Sequence, residues 1–263
     1  MTKILYEEFE FITLELLRKI SEVEGDTVAL MSSDEVFEKT YGRMPQKPVE
    51  ERVQLALSIE GIGAAIVDGR DVFLPDDCDT EKEFHVGYVP GTYDLLHAGH
   101  IENIMFARKC CDQVVVGVNA DSLVWKNKKK HTFQTEATRS FVLSHLKGVS
   151  LVMVVDTNDK KTVSDRIRQT LGRPIDVIIL GEDLMDKDEI NRVGLPSGVE
   201  IIYTSRPAKV AERRSSTAER LEILALEEQV KRLRSQNTAL TKQNAELIER
   251  LRLISEQVED EGD

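Results

Sequence analysis

The chain has 263 residues, 35 basic and 47 acidic, for a formal net charge of −12. That length buries a sizeable core and has room for one or two domains. The acidic balance argues against a general nucleic-acid binder, although a small basic pocket for an anionic substrate can sit inside an acidic protein. The cysteines (Cys78, Cys110 and Cys111) are few and not in metal-ligand spacing, which fits a reducing compartment, with the last two as buried helix-end residues. The amino-terminal stretch carries acids early and has no apolar run of signal length, and no segment is apolar enough to span a membrane. The expectation is a soluble, cytoplasmic protein.

Residues 1–77 read as a small α/β segment, ending in the polar stretch Pro75-Asp76-Asp77-Cys78-Asp79. Next, residues 84–218 alternate strand-like and helix-like runs. Strands are expected at 84–89, 113–118, 150–155, 176–180 and 200–203, and helices at 100–109, 136–146 and 162–171. The strands are rich in Val and Ile without polar alternation, as in a parallel sheet covered on both faces. The first segment parallels the second. Residues 26–34 resemble 112–121, Glu51-Arg52 and Gly61 match Thr138-Arg139 and Gly148 at almost the same offset, and 62–68 resemble 149–156. The first segment therefore reads as a truncated, degenerate copy of the same βαβ unit. At that offset Phe11 and Leu14 stand where the second copy has histidines.

Residues 219–258 form a heptad pattern, followed by an acidic tail at 259–263. One row holds Ile223, Val230, Asn237, Asn244, Leu251 and Val258, and the other Leu226, Leu233, Leu240, Leu247 and Ile254. Leu in one row, with β-branched residues and Asn in the other, is the pattern of a two-stranded parallel coiled coil. A homodimer through this segment is expected.

Between the first strand and helix of the second segment runs Gly91-Thr92-Tyr93-Asp94-Leu95-Leu96-His97-Ala98-Gly99-His100. A strand, a glycine turn and a helix start bearing two histidines make a phosphate-handling corner. On a helix, His97 and His100 share a face beside unsatisfied backbone N–H groups and the positive dipole end. Imidazoles there can donate hydrogen bonds to phosphate oxygens as charge grows. Gly91 permits a tight turn and Gly99 a close phosphate approach. By spacing alone, an exposed histidine pair or two of three metal ligands stay open.

The full string resembles the signature of the nucleotidylyltransferase superfamily with the His-x-Gly-His motif, and is nearest the cytidylyltransferases that activate glycerol 3-phosphate, phosphocholine or phosphoethanolamine. The resemblance implies a Rossmann-like α/β domain with a parallel sheet over 84–218, and a place in phospholipid biosynthesis. It implies CTP and a small phosphorylated alcohol as substrates, Mg²⁺ with the CTP, and in-line attack without a covalent intermediate. His97, His100, Lys129 and Arg139 take the catalytic positions; Lys129 is one of a run with Lys126, Lys128 and Lys130. Gly91, Thr92, Tyr93, Asp94, Gly99, Asp121, Gly181, Asp183, Arg213, Ser216 and Thr217 take nucleotide-binding positions. Thr138 stands where the family commonly has Glu, and Leu184 replaces an aromatic residue near the base. Arg206 and Arg214 are alternatives to Arg213. No protein metal ligands are expected.

Two other readings come from the residues themselves. The same corner serves adenylyl transfer to a sugar or nucleotide phosphate. The basic stretch Arg206, Lys209, Arg213, Arg214 and Arg220 before a zipper is similar to basic-zipper DNA-binding proteins, but Glu212, Glu219 and Glu222 interrupt it. The heptad stripe is narrow and lacks Trp or Phe, which fits pairing better than a membrane surface. Neither a nucleic-acid nor a membrane partner is expected.

Overall fold

The computed structural model describes residues 3–22, 27–73, 82–187 and 191–204. The chain divides into two units, 1–216 and 217–263. The heptad region, the acidic tail, Cys78, Arg206, Arg213, Arg214, Ser216 and Thr217 lie outside the described residues.

The first half begins with β1 (Lys3–Tyr6), α1 (Leu14–Ser21), β2 (Thr27–Met31) and α2 (Asp34–Tyr41). It continues through α3 (Val49–Ser58), β3 (Ile62–Val67) and β4 (Asp71–Phe73). Local sequence sets these boundaries. Thr13 Oγ1 accepts from Leu16 N at 3.1 Å to start α1, and Ser33 caps α2, which stops at Gly42 with φ 68°. The sheet order is β1-β2-β3-β4, parallel except for the antiparallel β4.

The second half runs β5 (Phe84–Gly91), α4 (Ala98–Cys110), β6 (Cys111–Asn119), α5 (Asp121–Lys128), α6 (Glu136–Leu143) and β7 (Leu151–Val155). Then follow α7 (Lys160–Leu171), β8 (Val177–Gly181), a 3-10 turn (Glu182–Lys187) and β9 (Glu200–Thr204). All five strands are parallel, in the order β7-β6-β5-β8-β9. This is a doubly wound sheet, and its order reverses between β5 and β8. Ligands of such sheets bind outside the carboxyl ends of the strands at that switch point, which here is where the Gly91 segment and Gly181 emerge.

The expected strands and helices are all present. The apolar runs of β5, β6 and β8 are buried on both faces, as strands covered by helices on each side must be. Two expectations change. The helix expected over 136–146 ends at Leu143 and gives way to turns, and α5 occupies ground expected to be lysine loop.

One apolar core joins the two sheets. Leu16, Ile20, Ala29, Ile62 and Ala65 of the first half pack with Ile101, Ile104, Val116 and Leu143 of the second. A separate cluster on the opposite face of the second sheet holds Val86, Tyr88, Val115, Ile167 and Ile178. The halves also share backbone hydrogen bonds. Ile59 and Leu146 form an antiparallel bridge, Glu60 N donates to His145 O and Lys147 N to Ser58 O, each at 2.8 Å. Across this seam α3 packs on α4 and α1 on α6. The boundary expected near 77–84 thus separates two sheets but not two cores.

Candidate active site

The corner after β5 departs from ordinary backbone. Tyr93 and Leu95 have φ of 56° and 59°, a left-handed conformation that costs a non-glycine residue about 1–3 kcal/mol. Neighbouring contacts enforce it. Tyr93 is buried, and its hydroxyl donates to Val89 O at 2.8 Å. Its ring lies directly under Gly91, where an added Cβ would sit 2.7 Å from ring carbons. Glycine at 91 is therefore a steric requirement. Asp94 accepts from Phe133 N (2.9 Å) and Gln134 N (3.2 Å), which pins the loop before α6.

His97 is the N-cap of α4, in extended conformation, and His100 lies in its first turn. The two imidazoles stack with centroids 3.8 Å apart, and Tyr93 packs against His100 at 5.0 Å. His100 N donates back to His97 O at 2.9 Å, and Gly99 N has no backbone partner among the described residues. The pair, the Gly99 amide and the dipole of a 13-residue helix share one end of the sheet.

The lysine run resolves differently from expectation. Lys129 is the left-handed cap of α5, with φ 52° and an exposed side chain. Lys128 is the lysine that reaches the corner, with Nζ donating to Thr92 Oγ1 at 3.1 Å, and Asn119 Nδ2 lies 3.5 Å from the same oxygen. The helical register of α5 turns Lys128, rather than its neighbour Lys129 in the same run, toward Thr92.

Arg139 lies on α6. It is 1% exposed, and its guanidinium donates to Gln134 O, Thr92 O, Asn119 O and Asp121 Oδ1. It grips the backbone of the corner and the end of β6. Asp121 is likewise committed. It accepts from Arg139, from Thr132 Oγ1 at 3.0 Å and from Glu136 N at 3.3 Å, while Glu136 Oε2 accepts from Asp121 N at 2.7 Å. Burial opposes its ionisation, but the hydrogen bonds from Arg139, the Glu136 amide and Thr132 outweigh that and hold its carboxyl below the usual range. Tyr93 and Asp94 also shape the corner from behind.

Gly181 ends β8 beside β5, and an added Cβ there would meet Asp183 Oδ1 at 2.5 Å. Thr204 Oγ1 donates to Asn103 Oδ1 at 2.6 Å, tying α4 to the end of β9. Leu184 packs into the second core cluster. Cys110 and Cys111 have thiols raised by burial, which makes them poor nucleophiles.

The first sheet repeats the arginine clamp. Arg52 is fully buried and donates to Lys47 O, Glu8 O, Ser32 O and Asp34 Oδ1, the counterparts of the four Arg139 bonds, and in addition to Glu8 Oε2 at 2.7 Å. Phe9 shares the left-handed backbone of Tyr93, with φ 52°. Both Thr13 and His97 are N-caps of the helix that follows. Thr13 and Leu16, not Phe11 and Leu14, therefore hold the places of His97 and His100, because the offset is the same at Phe9/Tyr93 and Thr13/His97 and changes only between Leu16 and Ser32.

With this geometry, the comparison with known proteins is decisive. The family model described as cytidylyltransferase-like matches residues 88–254. The chain belongs to the cytidylyltransferase-like family. With it the chain is of the nucleotidyltransferase type, in the superfamily with the His-x-Gly-His motif. Among similar curated proteins, the bifunctional protein HldE of Acidiphilium cryptum is 36% identical over 104 residues, which cover 39% of this chain and 20% of that protein. HldE of Nitrobacter hamburgensis is 34% identical over 89 residues, covering 34% and 18% respectively. The chain thus spans about a fifth of the length of these relatives. A lipopolysaccharide core biosynthesis protein from Thermoplasma volcanium aligns with TM-score 0.33 at 25% identity, covering 46% of this chain and 97% of that one. No helix among the described residues is long and apolar enough to cross a membrane.

Proposed function

We propose that the corner transfers a cytidylyl group from CTP to the phosphate of a small phosphorylated alcohol (phosphoethanolamine, glycerol 3-phosphate or phosphocholine). The observation that carries the reading is the stacked His97–His100 pair at the amino end of α4, at the switch point of the doubly wound sheet. A phosphate oxygen of the acceptor attacks the α-phosphorus in line. The bond from that phosphorus to the bridging oxygen breaks, and pyrophosphate leaves. His97, His100 and the Gly99 amide donate to phosphate oxygens whose charge grows in the transition state, and Lys128 adds a cation from the rim. Arg139, Tyr93 and Asp94 hold the corner in place.

Among the described residues no group of three His, Cys, Asp or Glu side chains could hold a metal. The carboxylates of Asp94 and Asp121 are engaged with amides and Arg139. We assign Mg²⁺ to the triphosphate as part of the substrate complex.

A second reading is adenylyl transfer to a sugar or nucleotide phosphate. Leu184 favours it: partly buried against the second core cluster, it offers no aromatic platform at the base position. Pyrophosphate release with CTP and with ATP, against glycerol 3-phosphate, phosphoethanolamine and phosphocholine, decides. Turnover with CTP and one of these acceptors supports the main reading, and turnover with ATP alone replaces it.

The matched Arg52 and Arg139 clamps support reading residues 1–77 as a truncated, degenerate copy of the catalytic unit. The heptads support a parallel homodimer through 219–258, so a chain truncated after Thr217 should sediment as a lighter species, and an unchanged mass would count against the zipper. The cytoplasm is the proposed location, without nucleic-acid or membrane partners.

A further inference from the structure

Glu51 lies on α3, in the half without the histidine pair. Its Oε1 nevertheless accepts from Ala98 N at 2.9 Å, in a buried hydrogen bond. Ala98 is the first residue of α4, between His97 and His100, and the His97 side chain makes no capping bond. The cap that α4 lacks locally is supplied across the seam by a carboxylate that is 5% exposed. An anionic acceptor on a helix N-terminal amide is a charge-assisted bond aligned with the dipole.

The two halves differ at this point in an informative way. Glu51 precedes Arg52, and the residue preceding the matching Arg139 is Thr138. The helix that Thr138 would serve is α1, which starts on its own Thr13 cap and carries Leu16 where α4 carries His100. The half that lacks the histidines has the acid that seats them. The half that has the histidines lacks the acid, and the helix opposite needs none.

We infer that Glu51 is a positioning residue of the catalytic corner, and that the first sheet completes the site by delivering it. By fixing the first turn of α4, Glu51 sets where the stacked rings of His97 and His100 stand. The inference deepens the nucleotidyl-transfer reading and rests on it only for its activity arm.

The test uses the full-length chain with Glu51→Met, Glu51→Gln and Thr13→Ala. E51M keeps volume but offers no acceptor; E51Q keeps an oxygen for Ala98 N; T13A removes a cap from the other helix at the same seam. E51M should lower kcat per folded molecule about tenfold or more while KM for the triphosphate stays within about threefold, because misplaced groups cost most in the transition state. E51Q should retain kcat to within about threefold, and T13A should lower the thermal midpoint without changing kcat. Independently of turnover, E51M should shift the ring NMR signals of His97 and His100 and leave His85 in place, whereas T13A shifts neither. Unmoved His97 and His100 signals in E51M, or equal kcat losses in E51M and T13A, would overturn the inference. If E51M does not fold, Glu51→Asp, whose shorter side chain withdraws the acceptor, is read by the same criteria. A wild-type chain inactive with both CTP and ATP would sink the functional reading, and the ring signals would still decide the role of Glu51.

Discussion

Arg139→Ala should act first on stability, and on catalysis by loosening the corner it holds. The guanidinium is buried and serves three carbonyls and one carboxylate. Truncation strands three part-buried carbonyls and leaves Asp121, itself about half exposed, without its cation; the unsatisfied carbonyls carry most of a cost of about 3–5 kcal/mol. Summing each charged hydrogen bond separately would overstate the loss, because the four share one group. For a folded unit of roughly 200 residues, each kcal/mol moves the midpoint by about 2–4 °C, so R139A should melt about 6–20 °C below wild type. Arg139→Lys should recover little, since an ammonium has no planar fork to span Thr92 and Asn119. Arg52→Ala is the matched control, and it should fall by a similar amount although no histidines stand beside it. Scanning calorimetry or circular dichroism melts supply the measurement. A wild-type midpoint in R139A together with weakened triphosphate binding would refute the clamp and restore Arg139 as a phosphate ligand.

Three further outcomes follow from the same geometry. Lys128→Ala should raise KM for the triphosphate or lower kcat by about tenfold, while Lys129→Ala stays within about twofold; the reverse order would show that α5 is in the wrong register. Gly91→Ala should cost about 1–3 kcal/mol in a denaturant titration, because its Cβ meets a Tyr93 ring held by Val89, and an unchanged midpoint would mean the ring moves freely. The folded-state pKa of Asp121 is depressed, so its stabilising contribution is present above the ordinary value of 3.8 and is lost as pH falls through the lower folded value. The stability gap between wild type and Asp121→Asn should therefore shrink only below about pH 3.8; a gap that closes nearer neutral pH would contradict the bonding of that carboxylate.

Strand runs and the glycine-histidine corner were legible because burial and backbone geometry write themselves into neighbouring residues. The apolar runs of β5, β6 and β8 fit a sheet covered on both faces. α5 was not legible: Trp125 followed by lysines looks like a solvated loop until tertiary contacts fix its helix. The role of Arg139 was hidden for a different reason. An arginine on an α/β helix next to a phosphate corner has the same sequence whether it faces ligand or carbonyls, and only burial distinguishes them. Glu51 was the least visible of all. Its partner, Ala98, lies in the other half, and its meaning depends on a seam that no local pattern encodes. The placement of the histidine counterparts in the first half shifted from Phe11 and Leu14 to Thr13 and Leu16. The spacing between corresponding positions holds from Phe9 to Leu16 and changes only between Leu16 and Ser32, which no local pattern marks.

The central claim is that one stacked histidine pair drives nucleotidyl transfer. It is tested most directly by steady-state pyrophosphate release with His97→Ala and His100→Ala, alongside melts of both proteins. Loss of turnover by about a hundredfold or more in each, with midpoints near wild type, is the expected result; wild-type rates in both would contradict it.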